Sequence, residues 1–133
     1  MFQADHYAIS VGDVKKSIAF YEKLEFKIIK DYQSEDGTVR IVQMQNGNFI
    51  LEMFFYPDSE KLPDFVSTLG EDLKVKGSKH LGLQVTDVEK AAAYLEEAGL
   101  VTEKPMISQG RLGRPYFFIK DPDGIFVEII SAG

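Results

Sequence analysis

Apolar and polar residues alternate near the start of the chain, then give way to a period of three to four, and the same switch recurs 74 residues later, from His6 to His80. Tyr7, Ile9 and Val11 alternate with His6, Ala8 and Ser10, the two-residue period of a half-buried strand. Asp13 follows as a candidate N-cap, and Val14, Ile18 and Tyr21 recur at helical spacing over about 14–24. Strands are predicted at about 26–33, 38–45 and 48–56, punctuated by "EDGT" and "QNGN". Asp-Gly and Asn-Gly suit tight hairpins because both central positions want positive φ. The order is β-α-β-β-β.

The second half repeats it. A strand at about 79–85 leads to Asp87 as N-cap, then a helix near 88–98 with Val88, Ala92 and Leu95 on one face and Gly99 as its C-terminal cap. A weaker strand is predicted at about 100–104, and a stronger one, "RPYFFIK", near 114–120. "DPDG" turns the chain and "IFVEIIS" closes it. Laying His80 over His6 also matches Val11 with Val85, Asp13 with Asp87, Val14 with Val88, Lys16 with Lys90, Ala19 with Ala93 and Glu22 with Glu96. Such self-similarity marks a duplicated supersecondary unit. The expectation is an α+β fold of two tandem βαβββ modules in one domain spanning 1–133: module one about 1–56, a connector with one short helix at 57–78, and module two about 79–133.

Composition narrows the function classes. The 133 residues are 44% hydrophobic and 27% charged, ordinary values for a globular chain. Fifteen Lys and Arg stand against 21 Asp and Glu, a net charge of −6, which argues against nucleic acid or an anionic membrane as partner. With no cysteine there is no disulfide, zinc knuckle or thiol nucleophile. "MFQADHYAIS" lacks a signal-peptide pattern, and no apolar run reaches the ~18–20 residues of a membrane span. A cytoplasmic protein is expected.

The chain's two histidines, His6 and His80, both open the repeated phrase. Glu52 in "FILEMFF" and Glu128 in "IFVEII" interrupt apolar runs at equivalent places, each sharing a face with apolar neighbours: Ile50 and Phe54, and Phe126 and Ile130. A lone carboxylate in such a run is costly unless something offsets its desolvation. Core histidines, with glutamates paired to Arg or Lys, are one reading. Four such residues in duplicated register favour another, a shared divalent cation: Zn, Ni, Co, Mn or Fe. That arrangement needs each module to curl into half of a curved mixed sheet around the metal. "SQGRLGRPY" adds Arg111 and Arg114 on a predicted flexible loop, candidates for capturing a substrate carboxylate or phosphate.

The paired βαβββ units, the His6–Glu52–His80–Glu128 set, "VGDVKKSIAFYEKL" and "KDPDGIFVEII" together resemble the vicinal oxygen chelate superfamily. That group contains lactoylglutathione lyases (glyoxalase I), methylmalonyl-CoA epimerases, extradiol dioxygenases, fosfomycin-modifying enzymes and bleomycin-binding proteins. A complete His-Glu-His-Glu quartet is most similar to the lactoylglutathione lyases. The resemblance implies metal ligation by all four residues, with Glu128 also the catalytic base that takes a proton next to a carbonyl. It further implies a small-molecule substrate and a homodimer. Alternatives within the resemblance are an epimerase acting on a CoA thioester and a sequestering protein without catalysis. Glutathione-using members carry Arg at the position of Ser10 and Asn at that of Tyr56, both substrate contacts. Their absence points to another thiol, or none.

Overall fold

The computed structural model describes residues 1–133, and in it the two repeated phrases fold onto the same cap. Strand β1 (Tyr7–Ser10) leads to helix α1 (Val14–Glu22), and Asp13 accepts the Lys16 N–H at 3.1 Å. Seventy-four residues on, Asp87 accepts the Lys90 N–H at the same 3.1 Å and starts the helix Val88–Glu97, with cap dihedrals within a degree of those at Asp13. A short polar side chain in an extended backbone satisfies an amide that the helix cannot, which explains Asp at both sites.

The helix exits repeat too. Phe26 N–H bonds to Tyr21 O and Glu25 N–H to Glu22 O; Leu100 N–H bonds to Leu95 O and Gly99 N–H to Glu96 O. Both are Schellman-type endings, which need a left-handed residue. Gly99 supplies it at φ 76°, whereas the first half uses Glu25 at φ 68°, the only non-glycine residue with positive φ. A side chain there costs about 1–2 kcal/mol, partly offset by the freedom that glycine loses on folding. Glu25→Gly is therefore expected to stabilise by about 0.5–1 kcal/mol, raising the melting temperature by about 2–4 °C. Gly99→Ala should lower it by a similar amount, which differential scanning fluorimetry reads directly.

The chain divides into two compact units, 1–61 and 62–133. In the first, β2 (Lys27–Gln33), β3 (Arg40–Asn46) and β4 (Phe49–Phe55) form an antiparallel run, and β1 joins β4 in parallel to give the order β1-β4-β3-β2. Val42, Met44, Leu51 and Met53 bury one face of this sheet, and Tyr21 and Phe26 are buried alongside them in the core. Phe20, Tyr21, Phe26 and Phe49 meet in successive edge-to-face contacts.

The "EDGT" turn hangs on Asp36. Its Oδ1 accepts from Ser34 Oγ (2.6 Å), Thr38 N (3.1 Å) and Thr38 Oγ1 (2.8 Å). These donors, Ser34 first, pull its carboxyl down to about 2 from an ordinary 3.8. A carboxyl depressed on folding favours the folded state at and above neutral pH, and that contribution fades as pH falls from about 4 through about 2. In urea titrations the stability gap between wild type and Asp36→Asn should be constant above pH 5 and close over that acid window.

In the second unit a 3₁₀ turn (Asp64–Val66) and helix α2 (Leu69–Asp72) occupy the predicted connector. β5 (Leu81–Val85) and helix α3 (Val88–Glu97) follow. β6 (Ser108–Gln109), β7 (Pro115–Lys120) and β8 (Phe126–Ser131) complete a sheet of order β5-β8-β7-β6, again with one parallel pair, β5 with β8. Leu81, Ala92, Leu95, Phe117, Ile119, Val127 and Ile129 are its core. The fold is thus α+β, two βαβββ-like modules carrying two four-stranded mixed sheets.

The strand expected at 100–104 is corrected to β6, four residues later and only two residues long. Pro105 removes a ladder donor next to that stretch, and Lys104 is drawn to Glu89 on α3 at 2.9 Å. "DPDG" closes the last hairpin around the buried Asp121, whose Oδ1 accepts the N–H groups of Asp123 and Ile125, both at 2.9 Å.

Candidate metal half-sites

Strand parity decides where the odd carboxylates go. On β4 the core takes Leu51 and Met53, leaving Ile50, Glu52 and Phe54 on the other, half-buried face. On β8 it takes Val127 and Ile129, so Glu128 faces away from the packed interior. The side chains of Glu52 and Glu128 keep 16% and 22% of their exposure, so the desolvation cost expected from the apolar runs is only partial. Each carboxylate meets the histidine of its own module. His6 Nε2 lies 3.1 Å from Glu52 Oε2, and His80 Nε2 lies 3.3 Å from Glu128 Oε2. The four candidates form two separate pairs, and no group of three or more His, Asp or Glu is placed to hold a metal ion.

The pairs fit a cation in one respect and differ from each other in the rest. Two adjacent ligands at 2.0–2.2 Å from one cation stand about 3.0 Å apart in octahedral and about 3.4 Å in tetrahedral geometry, which brackets both N···O spacings. His6 Nδ1 donates to Asp5 Oδ2 at 2.6 Å, and that hydrogen bond, first among the causes, raises its pKa above the usual imidazole value. With Nδ1 carrying the proton, Nε2 is the atom aimed at Glu52, the carboxylate–histidine orientation common behind metal ligands. His80 Nδ1 is buried with no partner; its ring instead stands edge-on to Phe118, centroids 4.7 Å apart. Gln43 Nε2 donates to Glu52 Oε1 at 3.0 Å, whereas Glu128 has no second partner.

The other predicted contacts separate. Ser10 is exposed on β1, opposite Phe54, and Tyr56 is exposed just beyond β4. Arg111 is exposed at the tip of a tight turn closed by Gly110 N–H to Arg114 O at 3.0 Å. Arg114 sits at the end of the same turn, just before β7, and its side chain is tied down: Nε donates to Ser131 O at 2.7 Å and a terminal nitrogen to Gln84 Oε1 at 3.3 Å. A cleft of about 400 Å³ beside Glu52, lined by Lys30, Asp31, Tyr32, Ile41 and Gln43, escaped sequence reading. Its signal was there in the alternation of Ile41, Gln43 and Gln45 with Val42 and Met44, which puts glutamines on the face Glu52 occupies.

Similarity to known proteins settles the family. Residues 3–129 match the model of the Glyoxalase/Bleomycin resistance protein/Dioxygenase superfamily. The chain belongs to that superfamily. An uncharacterized Bacillus subtilis protein, YwkD, is 34% identical over 126 residues, covering 93% of this chain and 92% of its own. A Schizosaccharomyces pombe lactoylglutathione lyase is 29% identical over 98% of this chain but only 45% of its own length. The crystal structure of an Enterococcus faecalis glyoxalase family protein superposes with TM-score 0.78 at 25% identity, covering 96% of both chains. Human mitochondrial methylmalonyl-CoA epimerase is 25% identical over 96% of this chain and 73% of its own, and a bleomycin-binding protein shares the fold with TM-score 0.60 at 21% identity. No helix is long and apolar enough to cross a membrane.

Proposed function

We propose that the protein is a metal-dependent lyase or isomerase of the glyoxalase I type, acting on a small thiol–aldehyde adduct or a related carbonyl compound. His6, Glu52, His80 and Glu128 would hold one divalent ion, each module giving one His–Glu pair. The observation that carries the reading is the inequality of the two pairs. One carboxylate is held at both oxygens, by His6 and Gln43, and suits a constant ligand. The other has a single partner at 3.3 Å and suits a base that must move. A pure binder has no use for such a difference.

A bound divalent cation supplies Lewis acidity that favours negative charge on a substrate carbonyl oxygen. Glu128 takes the proton from the carbon next to that carbonyl and returns it to a neighbouring carbon. Phe118 braces His80 and lines the approach to Glu128 on the adjacent strand, Phe118 and Glu128 being register partners. Asp5 fixes His6 in the tautomer that presents Nε2. Lys30 and Tyr32, on the face of Gln43 through their register with Gln43 and Ile41, offer a cation and a hydroxyl to an anionic substrate group. Arg111 and Arg114 are weaker candidates for that contact, and Ser10 and Tyr56 make glutathione a poor fit. Ile28, Ile29 and Tyr32, exposed on the edge strand β2, are compatible with a homodimer. Deuterium exchange at the carbon next to the carbonyl, measured on protein carrying its metal, tests the reading.

A further inference from the structure

We propose that Gln43 and Phe118 decide which of the two glutamates is held and which is free to carry a proton. The inference rests on the metal-dependent reading above. The repeat makes the comparison direct: on β3, Gln43 pairs with Glu52; on β7, Phe118 pairs with Glu128. These are the same cross-strand position in the two modules, filled by an amide in one and an apolar ring in the other. The amide commits Glu52 Oε1 at 3.0 Å while Oε2 faces His6, so any swing of this carboxylate breaks two interactions. The ring donates no hydrogen bond to Glu128, and Phe118 spends its own contacts on His80, Tyr116 and Phe126. The opposite neighbour reinforces the contrast. Gly82 is the β5 partner of Glu128 where Ala8 is the β1 partner of Glu52, and a Cβ at Gly82 would stand 3.7 Å from Glu128 Oε2. Glu128 thus has bare backbone on one side and a ring on the other. Gln43 and Phe118 are positioning residues; the glutamates do the chemistry.

The experiment measures the Co²⁺ dissociation constant and absorption spectrum of metal-stripped wild type, Gln43→Leu, Phe118→Leu and Phe118→Gln, with melting curves of the stripped proteins as the folding control. Gln43→Leu is expected to melt like wild type yet bind Co²⁺ about 10- to 100-fold more weakly, the usual cost of losing an orienting partner. Phe118→Leu is the apolar reference for Phe118→Gln: it loses the ring edge against His80 and should bind Co²⁺ no more tightly than wild type. Phe118→Gln, which pins Glu128 as Glu52 is pinned, should bind more tightly. With the methylglyoxal–thiol adduct that wild type exchanges fastest, Phe118→Gln should also slow deuterium uptake at least tenfold relative to Phe118→Leu. Co²⁺ affinity of Gln43→Leu within twofold of wild type overturns the inference alone, as does a Phe118→Gln affinity no tighter than that of Phe118→Leu. Wild type that takes up no Co²⁺ overturns the metal reading, and the inference with it.

Discussion

Glu128→Gln is expected to abolish deuterium uptake from solvent into a substrate analogue, by about 10²–10⁴-fold, the usual contribution of a positioned base. Glutamine keeps the side chain's shape and an oxygen for the cation but cannot accept the proton. Loss of exchange with Co²⁺ still bound therefore assigns the base rather than a damaged site. Glu52→Gln is the contrasting variant. Its carboxylate is tied to Gln43 and His6, so the change should weaken the metal and spare more of the exchange. The screen should run methylglyoxal with several thiols, then small CoA thioesters, followed by mass spectrometry. Fast exchange with a thioester and none with thiol adducts would favour an epimerase. Metal bound, with no exchange into any of them, would favour a sequestering protein. Robust turnover with glutathione would show that Ser10 and Tyr56, in place of Arg and Asn, do not exclude that thiol.

Removing the metal is expected to lower the melting temperature by about 8–11 °C when free cation had stood at a hundred times its dissociation constant. That ligand excess stabilises the folded chain by about 2.7 kcal/mol, and a chain of this length shifts by roughly 3–4 °C per kcal/mol. Elemental analysis of protein purified without chelator should find about one divalent ion per His6–Glu52–His80–Glu128 set. His6→Ala and His80→Ala should each lose more affinity than Glu52→Gln, because alanine leaves no donor whereas an amide oxygen still coordinates. Of the two, His6→Ala also strands Asp5, the carboxylate that holds its ring. Equal melting temperatures with and without chelator would mean that the four residues do not share a cation.

The repeat, its caps and its face pattern were legible in the sequence because they are local. An Asp before a helical run has one near-obligatory partner, the amide three residues on, and both Asp13 and Asp87 found it. Strand parity likewise put Glu52 and Glu128 on one face each. Local signals failed where pairing had to choose: the weak stretch after α3 contained Pro105, and only the neighbouring β7 could select Ser108 and Gln109 as its partners. Arg114 does lie in the loop before β7, but the acceptor that ties it down, the Ser131 carbonyl, is 17 residues away and has no local signal. The difference between the two glutamates was equally hidden. Written along the chain they are equivalents of one repeat; across strands one meets an amide and the other a ring. Periodicity assigns a residue to a face, but the neighbour it meets there depends on strand order and register, which are set when distant segments pair. The sequence by itself therefore determined which residue types belong to the site and on which strands. Only the tertiary structure decided how each is held, Glu52 between Gln43 and His6 and Glu128 against His80 alone.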